Sequence, residues 1–257
     1  MTFISAFVGN VILYWGIAVV VVITAAVWQA GRQGLDSWSM YLAGLLGFGA
    51  ALLLGSGYAS LTATVHLHDA SFGRGVVGAL LGAGLGAWLS LKMRGAHFLP
   101  YADAAAPAVA LGYAVYRIGC FINGCCFGTV TDLPWATTIG VNSEAFAAQL
   151  EAGLIAANAL HTLPVHPTEL YHSLLGVVAF FLLLRIKVDV PGRRFAAALI
   201  LYGAGRFVIQ FYRGDSHPII GSLDINHIAA LLMLVMGVAL WRFRAGFVTA
   251  SERSLSI

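Results

Sequence analysis

Long apolar runs separated by short polar connections extend along this whole chain. A run of about 20 apolar residues is long enough to cross a lipid bilayer as an α-helix. A window of that length predicts seven spans: Val8–Trp28, Tyr41–Thr62, Gly75–Leu91, Tyr101–Ile122, Glu169–Ile186, Phe195–Tyr212 and Ile225–Trp241. The pattern therefore predicts an all-α integral membrane protein with about seven transmembrane helices.

The composition agrees with this fold class. Of the 257 residues, 60% are hydrophobic and only 10% are charged, and the mean hydropathy is +0.86. A soluble domain carries about 25% charged residues. These values exclude a large soluble enzyme and a disordered chain. A nucleic-acid partner is also excluded, because the net charge is only +3 and such proteins concentrate Lys and Arg on one face.

The basic residues predict the orientation in the membrane. Ten of the fourteen Lys and Arg residues lie at the end of the first, third, fifth or seventh predicted span or after it: Arg32, Lys92, Arg94, Arg185, Lys187, Arg193, Arg194, Arg242, Arg244 and Arg253. Because cytoplasmic loops are enriched in Lys and Arg, we expect an extracytoplasmic N-terminus and a cytoplasmic C-terminus. The first ten residues contain no Lys or Arg, so we interpret the first span as a retained helix and not as a cleaved signal peptide.

One segment stands apart from the predicted spans. Residues 123–167, the head segment, contain no Lys or Arg and are predicted to be extracytoplasmic. Within it, Asn142–Gly153 predicts an amphipathic helix capped by Asn142 or Ser143. We interpret residues 1–257 as a single polytopic membrane domain that includes this segment.

Two arginines lie inside predicted spans. Arg117 and Arg206 have no acidic neighbour at helical spacing, and ionisable residues within spans mark functional sites. A guanidinium group suits bidentate phosphate binding, and the phosphate available in a membrane is a phospholipid headgroup. A snorkelling side chain is the alternative for each. Glycines and tyrosines flank both arginines and favour a shared anion site; the tyrosines are Tyr113, Tyr116, Tyr202 and Tyr212.

Histidines form two further clusters. The segment 166–172 opens the fifth span, and a helix start explains its Pro, Thr and Glu but not His166, Tyr171 or His172. His66 and His68 precede the third span, where a metal pair and ordinary solvated histidines are both open interpretations. We assign no metal site and no cofactor.

The three cysteines fall within seven residues of one another, as Cys120, Cys125 and Cys126. An odd, clustered set is a poor disulfide framework, and a bridge between adjacent cysteines strains the bond. They either form a local site or only pack.

Three segments together resemble the prolipoprotein diacylglyceryl transferase family. Arg117-Ile-Gly-Cys-Phe-Ile-Asn-Gly-Cys-Cys-Phe-Gly128 resembles the signature Gly-Arg-x-Gly-Asn-Phe-x-Asn-x-Glu-x-x-Gly. His166–Tyr171 resembles His-Pro-x-Gln-Leu-Tyr-Glu, and Tyr202–Arg213 resembles Tyr-Gly-x-x-Arg-x-x-x-Glu-x-x-Arg. Their order and spacing agree from about residue 70 to the C-terminus.

The resemblance implies a multi-pass enzyme of the bacterial inner membrane. Such an enzyme moves the diacylglyceryl group of phosphatidylglycerol to a cysteine thiol of a prolipoprotein signal peptide, and glycerol phosphate leaves. Arg117 and Arg206 would hold the lipid phosphate. With them, the catalytic candidates are His166, Cys125 and Cys126. The substrate-binding candidates are Asn123, Gly124, Gly128, Tyr171, Tyr202, Gln210, Arg213 and Arg74.

The chain also departs from the family pattern. Where the family has Ser-Phe-His-Gly-Gly, this chain has Gly73 in place of the histidine, with Arg74 beside it. The first Asn of the signature is Cys120, its Glu is Cys125, and the Glu of the third motif is Gln210. These changes make the site more positive and alter the residues expected to handle protons, so they indicate a divergent member or paralogue. It would keep phospholipid binding and headgroup displacement, with either the prolipoprotein thiol or a different acceptor.

Because the usual histidine is replaced, other groups become candidates for the chemistry. His66, His68 and His166 are candidate bases. Cys125 or Cys126 would be a nucleophile if a nearby arginine lowers its pKa.

Two other hypotheses remain open. A phospholipid-binding or transporting paralogue with altered catalysis is motivated by Gly73 and Gln210. A thiol-redox or metal protein built on the cysteines ranks last, because it leaves both arginines unexplained.

Overall fold

The computed structural model describes the backbone of residues 2–64, 71–216 and 219–254, and the side chains of residues 13–56, 78–79, 81–216 and 219–244. The described residues form eight helices: α1 (Thr2–Arg32), α2 (Ser37–Thr64), α3 (Ser71–Met93), α4 (Phe98–Asn123), α5 (Glu144–Glu151), α6 (Thr168–Arg185), α7 (Arg193–Gln210) and α8 (Ile225–Ser254). Within these ranges, β-structure is limited to isolated antiparallel bridges. The described residues therefore confirm the predicted all-α class.

Each of the seven predicted apolar stretches coincides with a long helix, although the ends differ. The first helix, for example, covers Thr2–Arg32 where the hydropathy window predicts Val8–Trp28. The helix therefore extends beyond the predicted window at both ends. Five of the described helices contain a window long and apolar enough to cross a membrane: Leu13–Arg32, Ser37–Ser56, Phe98–Asn123, Thr168–Arg185 and Ile225–Arg244.

The predicted amphipathic helix of the head segment is α5. Its N-cap is Ser143, whose Oγ accepts a hydrogen bond from the backbone N–H of Phe146 at 3.1 Å. Asn142 precedes the cap in a left-handed conformation with φ of 74°. The helix ends at Glu151, shortly before Gly153, which has φ of 69°. Of the two predicted caps, Ser143 is the one observed.

The chain forms two compact units. The first contains Met1–Ala18, Ala110–Leu182 and Leu199–Met236, and the second contains Val19–Val109, Leu183–Ala198 and Gly237–Ile257. Every predicted site residue whose side chain is described belongs to the first unit.

The second unit is packed largely through small residues. A buried cluster contains Ala26, Ala30, Met40, Ala43, Leu91, Tyr101, Ala104 and Ala108. Where α2 and α3 meet, a Cβ on Gly82 would lie 2.6 Å from the carbonyl carbon of Ala50, and one on Gly86 would lie 2.6 Å from the carbonyl oxygen of Leu46. The two backbones therefore approach as closely as small-residue interfaces in membranes allow.

Within the same unit, a buried carboxylate fixes the start of α7. Asp103 of α4 accepts the backbone N–H of Gly192 at 2.5 Å and that of Phe195 at 2.7 Å. The first N–H groups of a helix have no partner inside the helix, so an acceptor supplied from elsewhere acts as its cap.

The contact between α2 and α3 can be tested with two matched alanine variants. Gly82→Ala places a Cβ against the backbone of α2 and is expected to destabilise the protein by about 1–3 kcal/mol, as overpacking usually does. Gly84→Ala is the control on the same helix, because a Cβ there meets nothing within 4 Å. It is expected to leave stability unchanged or slightly raised, since alanine favours helices more than glycine does.

The measurement is the apparent melting temperature of each variant, purified in detergent. Equal melting temperatures for the two variants would contradict the close approach of α2 and α3.

Candidate functional site

Backbone hydrogen bonds connect the three sequence motifs inside the first unit. The N–H of Gly128, in the loop after α4, donates to the carbonyl of His166, before α6, at 3.0 Å. The next N–H, of Thr129, donates to the carbonyl of Tyr212, after α7, at 2.8 Å. A Cβ on Gly128 would collide with His166 and lie 2.8 Å from the Tyr212 carbonyl oxygen. Glycine is thus needed here for the loop to reach both segments.

Gly124 has a similar backbone role at the end of α4. Its φ is 64°, and a Cβ there would lie 2.6 Å from Cγ2 of Ile139 and 2.7 Å from Cβ of Ser143. The turn at Gly124 leads the chain from α4 into the head segment. The predicted parts of Gly124 and Gly128 in substrate binding stay predictions.

Arg117 is buried within α4 among aromatic rings. Its Cζ lies 5.0 Å from the ring centroid of Tyr113 and 5.5 Å from that of Tyr116, within the range of cation–π attraction. In the described part of the chain, its Nε and Nη1 have no hydrogen-bond partner and no carboxylate lies within ion-pair distance. A buried cation without a counter-charge is strongly unfavourable, so this position favours an anion from outside the chain.

Arg206 of α7 and Arg117 both act on a second aromatic pair, Tyr113 and Tyr202. The rings of Tyr113 and Tyr202 lie 5.1 Å apart, and both guanidinium groups interact electrostatically with both tyrosines. One N–H donor of Arg206 is already used, because Nη2 donates to Oδ1 of Asn226 at 2.9 Å. Two cations from different helices are therefore gathered around one pair of tyrosines. Their binding of a phosphate stays a prediction.

Two further polar residues of α6 lie in this region. Glu169 and His172 are fully buried, and the ring of His172 lies 5.9 Å from that of Tyr113. Arg117 and Arg206 both act electrostatically on His172. Among the described residues, Oε1 of Glu169 and both ring nitrogens of His172 have no hydrogen-bond partner. The sequence pattern indicates His172 as a site residue but explains Glu169 only as a helix start, and sequence spacing gives no sign that Glu169 is fully buried.

Asp224 organises the end of α7 and the start of α8. Its carboxylate accepts from Nε2 of Gln210 at 2.7 Å, from Oγ of Ser216 at 2.6 Å, and from the N–H groups of Asn226 and His227 at 2.9 Å each. Burial alone raises the pKa of Asp224, but hydrogen bonds from Ser216 and His227 outweigh it and lower the pKa to about 2. The charged carboxylate thereby caps α8 and holds Asn226, the partner of Arg206.

Arg213 is buried but already paired. Its Nε donates to Oδ1 of Asp215 at 2.7 Å, and its Nη2 contacts Oδ2 of the same carboxylate. This bidentate pair offsets much of its charge. Of the three arginines, Arg213 is therefore the one least free to bind a substrate anion.

His166 and Tyr171 are joined, and a tryptophan of the head segment completes the group. His166 Nδ1 lies 3.1 Å from the hydroxyl oxygen of Tyr171, and Nε1 of Trp135 donates to that oxygen at 2.8 Å. The tautomer of His166 decides whether it donates to the hydroxyl or accepts from it. Trp135 is not among the site residues predicted from the sequence, although it lies just beyond the first motif.

The three cysteines meet in a buried cluster. Their Sγ atoms all lie within 4.8 Å of one another. Hydrogen bonds from the thiols of Cys120 and Cys125 lower the pKa of Cys126. The charges of Arg213 and Arg117 act on Cys126 in the same direction.

The remaining predicted residues lie outside the described residues or in the first or last turn of a helix. His66 and His68 lie outside the described residues, and so does the side chain of Arg74. Gly73 lies in the first turn of α3. Asn123 is the last residue of α4 and is half-buried.

Three sequence motifs thus meet in one unit that also contains Arg117 and Arg206. A comparison with known protein families identifies the same relationship as these motifs. A family model described as prolipoprotein diacylglyceryl transferase matches residues 6–243. The chain belongs to this family. The resemblance found in the three motifs is thereby confirmed.

Named relatives of the family show the same relationship. A phosphatidylglycerol–prolipoprotein diacylglyceryl transferase of Clostridium tetani is 33% identical over 183 residues, which are 69% of this chain and 68% of that protein. A Streptomyces coelicolor relative with the same name and the suffix 1 is 35% identical over 171 residues, 65% of this chain and 45% of that protein. A Finegoldia magna relative is 33% identical over 172 residues, 65% of this chain and 60% of that protein. The matched part spans less than two thirds of the latter two family members.

Two variants of Asp224 separate its hydrogen bonds to the start of α8 from the effect of its negative charge. Asp224→Ala removes the acceptor of the first α8 N–H groups and is expected to cost about 1–2 kcal/mol, the usual range for a lost N-cap. Asp224→Asn keeps an acceptor oxygen and is expected to cost less. Thermal unfolding in detergent measures both.

Asp189→Ala is the matched control. Asp189 forms an exposed ion pair with Arg193, and such pairs contribute little. A melting temperature for Asp224→Ala equal to that of Asp189→Ala would show that Asp224 does not hold this end of α8.

Proposed function

We propose that this chain moves the diacylglyceryl group of phosphatidylglycerol to a cysteine thiol of a prolipoprotein signal peptide, as the motif resemblance implies. Its relatives are named phosphatidylglycerol–prolipoprotein diacylglyceryl transferases. The observation that carries the proposal is the buried guanidinium of Arg117, which has unpartnered donors in the described part of the chain. Arg206, from a different helix, acts electrostatically on Tyr113 and Tyr202, as Arg117 does. Two cations in an apolar surrounding suit one anionic lipid headgroup.

The proposed layout has seven membrane-spanning helices, all except α5, in the bacterial inner membrane. The N-terminus is extracytoplasmic and the C-terminus is cytoplasmic, as the distribution of Lys and Arg indicates. The head segment then lies on the extracytoplasmic side. Its exposed Leu150, Leu154 and Leu160 suit the lipid interface, and Leu160 alone is 73% exposed.

The proposed reaction is a displacement at a glyceryl carbon. The thiolate sulfur of the acceptor forms a bond to that carbon while the bond from the carbon to the phosphate oxygen breaks. The electron pair leaves with the oxygen, so glycerol phosphate departs carrying an additional negative charge. Arg117 and Arg206 stabilise this charge as it develops, which is the part of catalysis where fixed cations contribute most.

The proton of the prolipoprotein thiol needs a base to receive it. His166 is the candidate base among the residues that the structure describes. If Nδ1 carries a hydrogen and donates it to the Tyr171 oxygen, the lone pair of Nε2 is free to accept the proton. Trp135 also donates to that oxygen and keeps Tyr171 in place. His66 and His68 remain alternative candidates.

Cys125 and Cys126 remain candidate nucleophiles for the same reaction. The Cys125→Ser/Cys126→Ser double variant, measured in the transfer assay, distinguishes thiols that react with the lipid from thiols that only pack. Unchanged transfer would show that the two thiols do not form a bond to the diacylglyceryl group.

The proposal is tested by arginine variants in a transfer assay. Arg117→Ala and Arg206→Ala are each expected to lower the rate by about 100-fold or more, the usual effect of removing one charge-stabilising donor. Arg117→Lys keeps the charge but not the planar fork, so an intermediate rate is expected. The assay uses vesicles containing phosphatidylglycerol and a peptide with a signal-peptide cysteine, and mass spectrometry measures diacylglyceryl addition.

Arg193→Ala is the control, because Arg193 is exposed and belongs to the second unit. Full activity of both Arg117→Ala and Arg206→Ala would contradict the phosphate role. Wild-type protein that copurifies with phosphatidylglycerol but modifies no peptide would indicate lipid binding without this transfer. Gly73→His would then test whether the missing histidine is the cause.

A further inference from the structure

The cysteine cluster has features that binding a lipid phosphate does not require. The backbone N–H of Cys125 donates to the carbonyl of Cys120 at 3.3 Å, which folds the loop back onto the last turn of α4. The carbonyl of Cys126 accepts from Oγ1 of Thr168 at 2.7 Å, which holds the other end of the cluster at the start of α6. The three thiols are therefore brought together by hydrogen bonds to the backbone on both sides, one from a backbone N–H and one from the Thr168 hydroxyl.

The separation of the sulfur atoms suits a common metal ion. A metal about 2.3 Å from each of three sulfurs in a plane, the length of a zinc–thiolate bond, separates the sulfurs by about 4 Å. The observed Sγ atoms all lie within 4.8 Å of one another, and all three residues are buried. Only small side-chain movements would be needed to enclose an ion.

We propose that Cys120, Cys125 and Cys126 form a three-thiolate site for a soft monovalent cation, Cu(I). This inference does not depend on the proposed transferase activity. It replaces the prediction that the chain has no metal site, because the spacing of the cysteines along the chain does not reveal that their sulfur atoms meet.

The ligand set distinguishes Cu(I) from zinc. Thiolates select soft ions such as Cu(I), whereas structural zinc almost always has four ligands. In the described part of the chain, no fourth His, Cys, Asp or Glu joins the three cysteines. Three thiolates therefore complete a trigonal site and leave a tetrahedral one incomplete.

The charges also agree with this assignment. Binding would release the three thiol protons to solvent and involve no electron transfer, which leaves three thiolates around one monovalent ion with a net charge of minus two. Arg117 and Arg213 are the cations that act on Cys126. Arg213 is partly offset by Asp215, but Arg117 has no carboxylate partner among the described residues. An anionic metal–thiolate group is therefore stabilised at this position.

The test is a Cu(I) titration of the full-length chain, purified in detergent and reduced without oxygen. In competition with a chromophoric Cu(I) chelator, we expect the chain to take one copper ion. X-ray absorption at the copper edge is expected to show three sulfur ligands. The single variants Cys120→Ser, Cys125→Ser and Cys126→Ser are each expected to lose this one-to-one binding.

Met236→Leu is the matched control, because the thioether of Met236 is exposed and is not part of the three-cysteine cluster. It is expected to keep full copper binding. Because the serine variants risk misfolding, the wild-type chain provides a second readout. Copper should slow the alkylation of all three cysteines together, as measured by mass spectrometry.

Three results would overturn the proposal. One is a wild-type chain that takes no copper from the chelator while all three thiols stay reactive. A second is a one-to-one zinc complex with a nitrogen or oxygen ligand in place of the copper complex. The third is a disulfide within the cluster that persists in the reduced preparation and prevents metal binding.

Discussion

A full positive charge held inside an apolar helix is the constraint on which this site depends. The guanidinium of Arg117 is surrounded by Tyr113 and Tyr116, whose ring faces attract a cation but do not neutralise it. The free energy of such a buried charge is favourable only when an anion is nearby. A lipid phosphate and a metal–thiolate group each satisfy this requirement.

The backbone provides the second requirement, which is proximity between distant parts of the chain. Gly128 lets the loop after α4 touch the carbonyls of His166 and Tyr212 at once. A side chain at this position would separate the segments that precede α6 and follow α7. The polar residues at these helix ends therefore share one region because a glycine permits the approach.

Much of the fold follows from residue patterns that act over short distances. Apolar runs predict the long helices, and an Asn-Ser-Glu sequence predicts α5 with Asn142 or Ser143 as its cap, of which Ser143 is observed. Arg117 and Arg206 are also identifiable, because a charge within an apolar run is conspicuous. Local residue patterns of this kind do not show which side chains meet when distant parts of the chain pack together. Neither the pairing of Arg213 with Asp215 nor the full burial of Glu169 follows from sequence spacing, since both depend on how loops and helices pack.

The apolar side chains exposed on the head segment affect how the protein can be handled. Leu150, Leu154 and Leu160 are exposed outside the long helices, so a micelle that covers only a belt around those helices would leave them in contact with water. Such a preparation should self-associate through these exposed leucines. Nanodiscs or bicelles, whose planar surface can also shield an interfacial segment, are therefore the better choice for keeping the protein monodisperse.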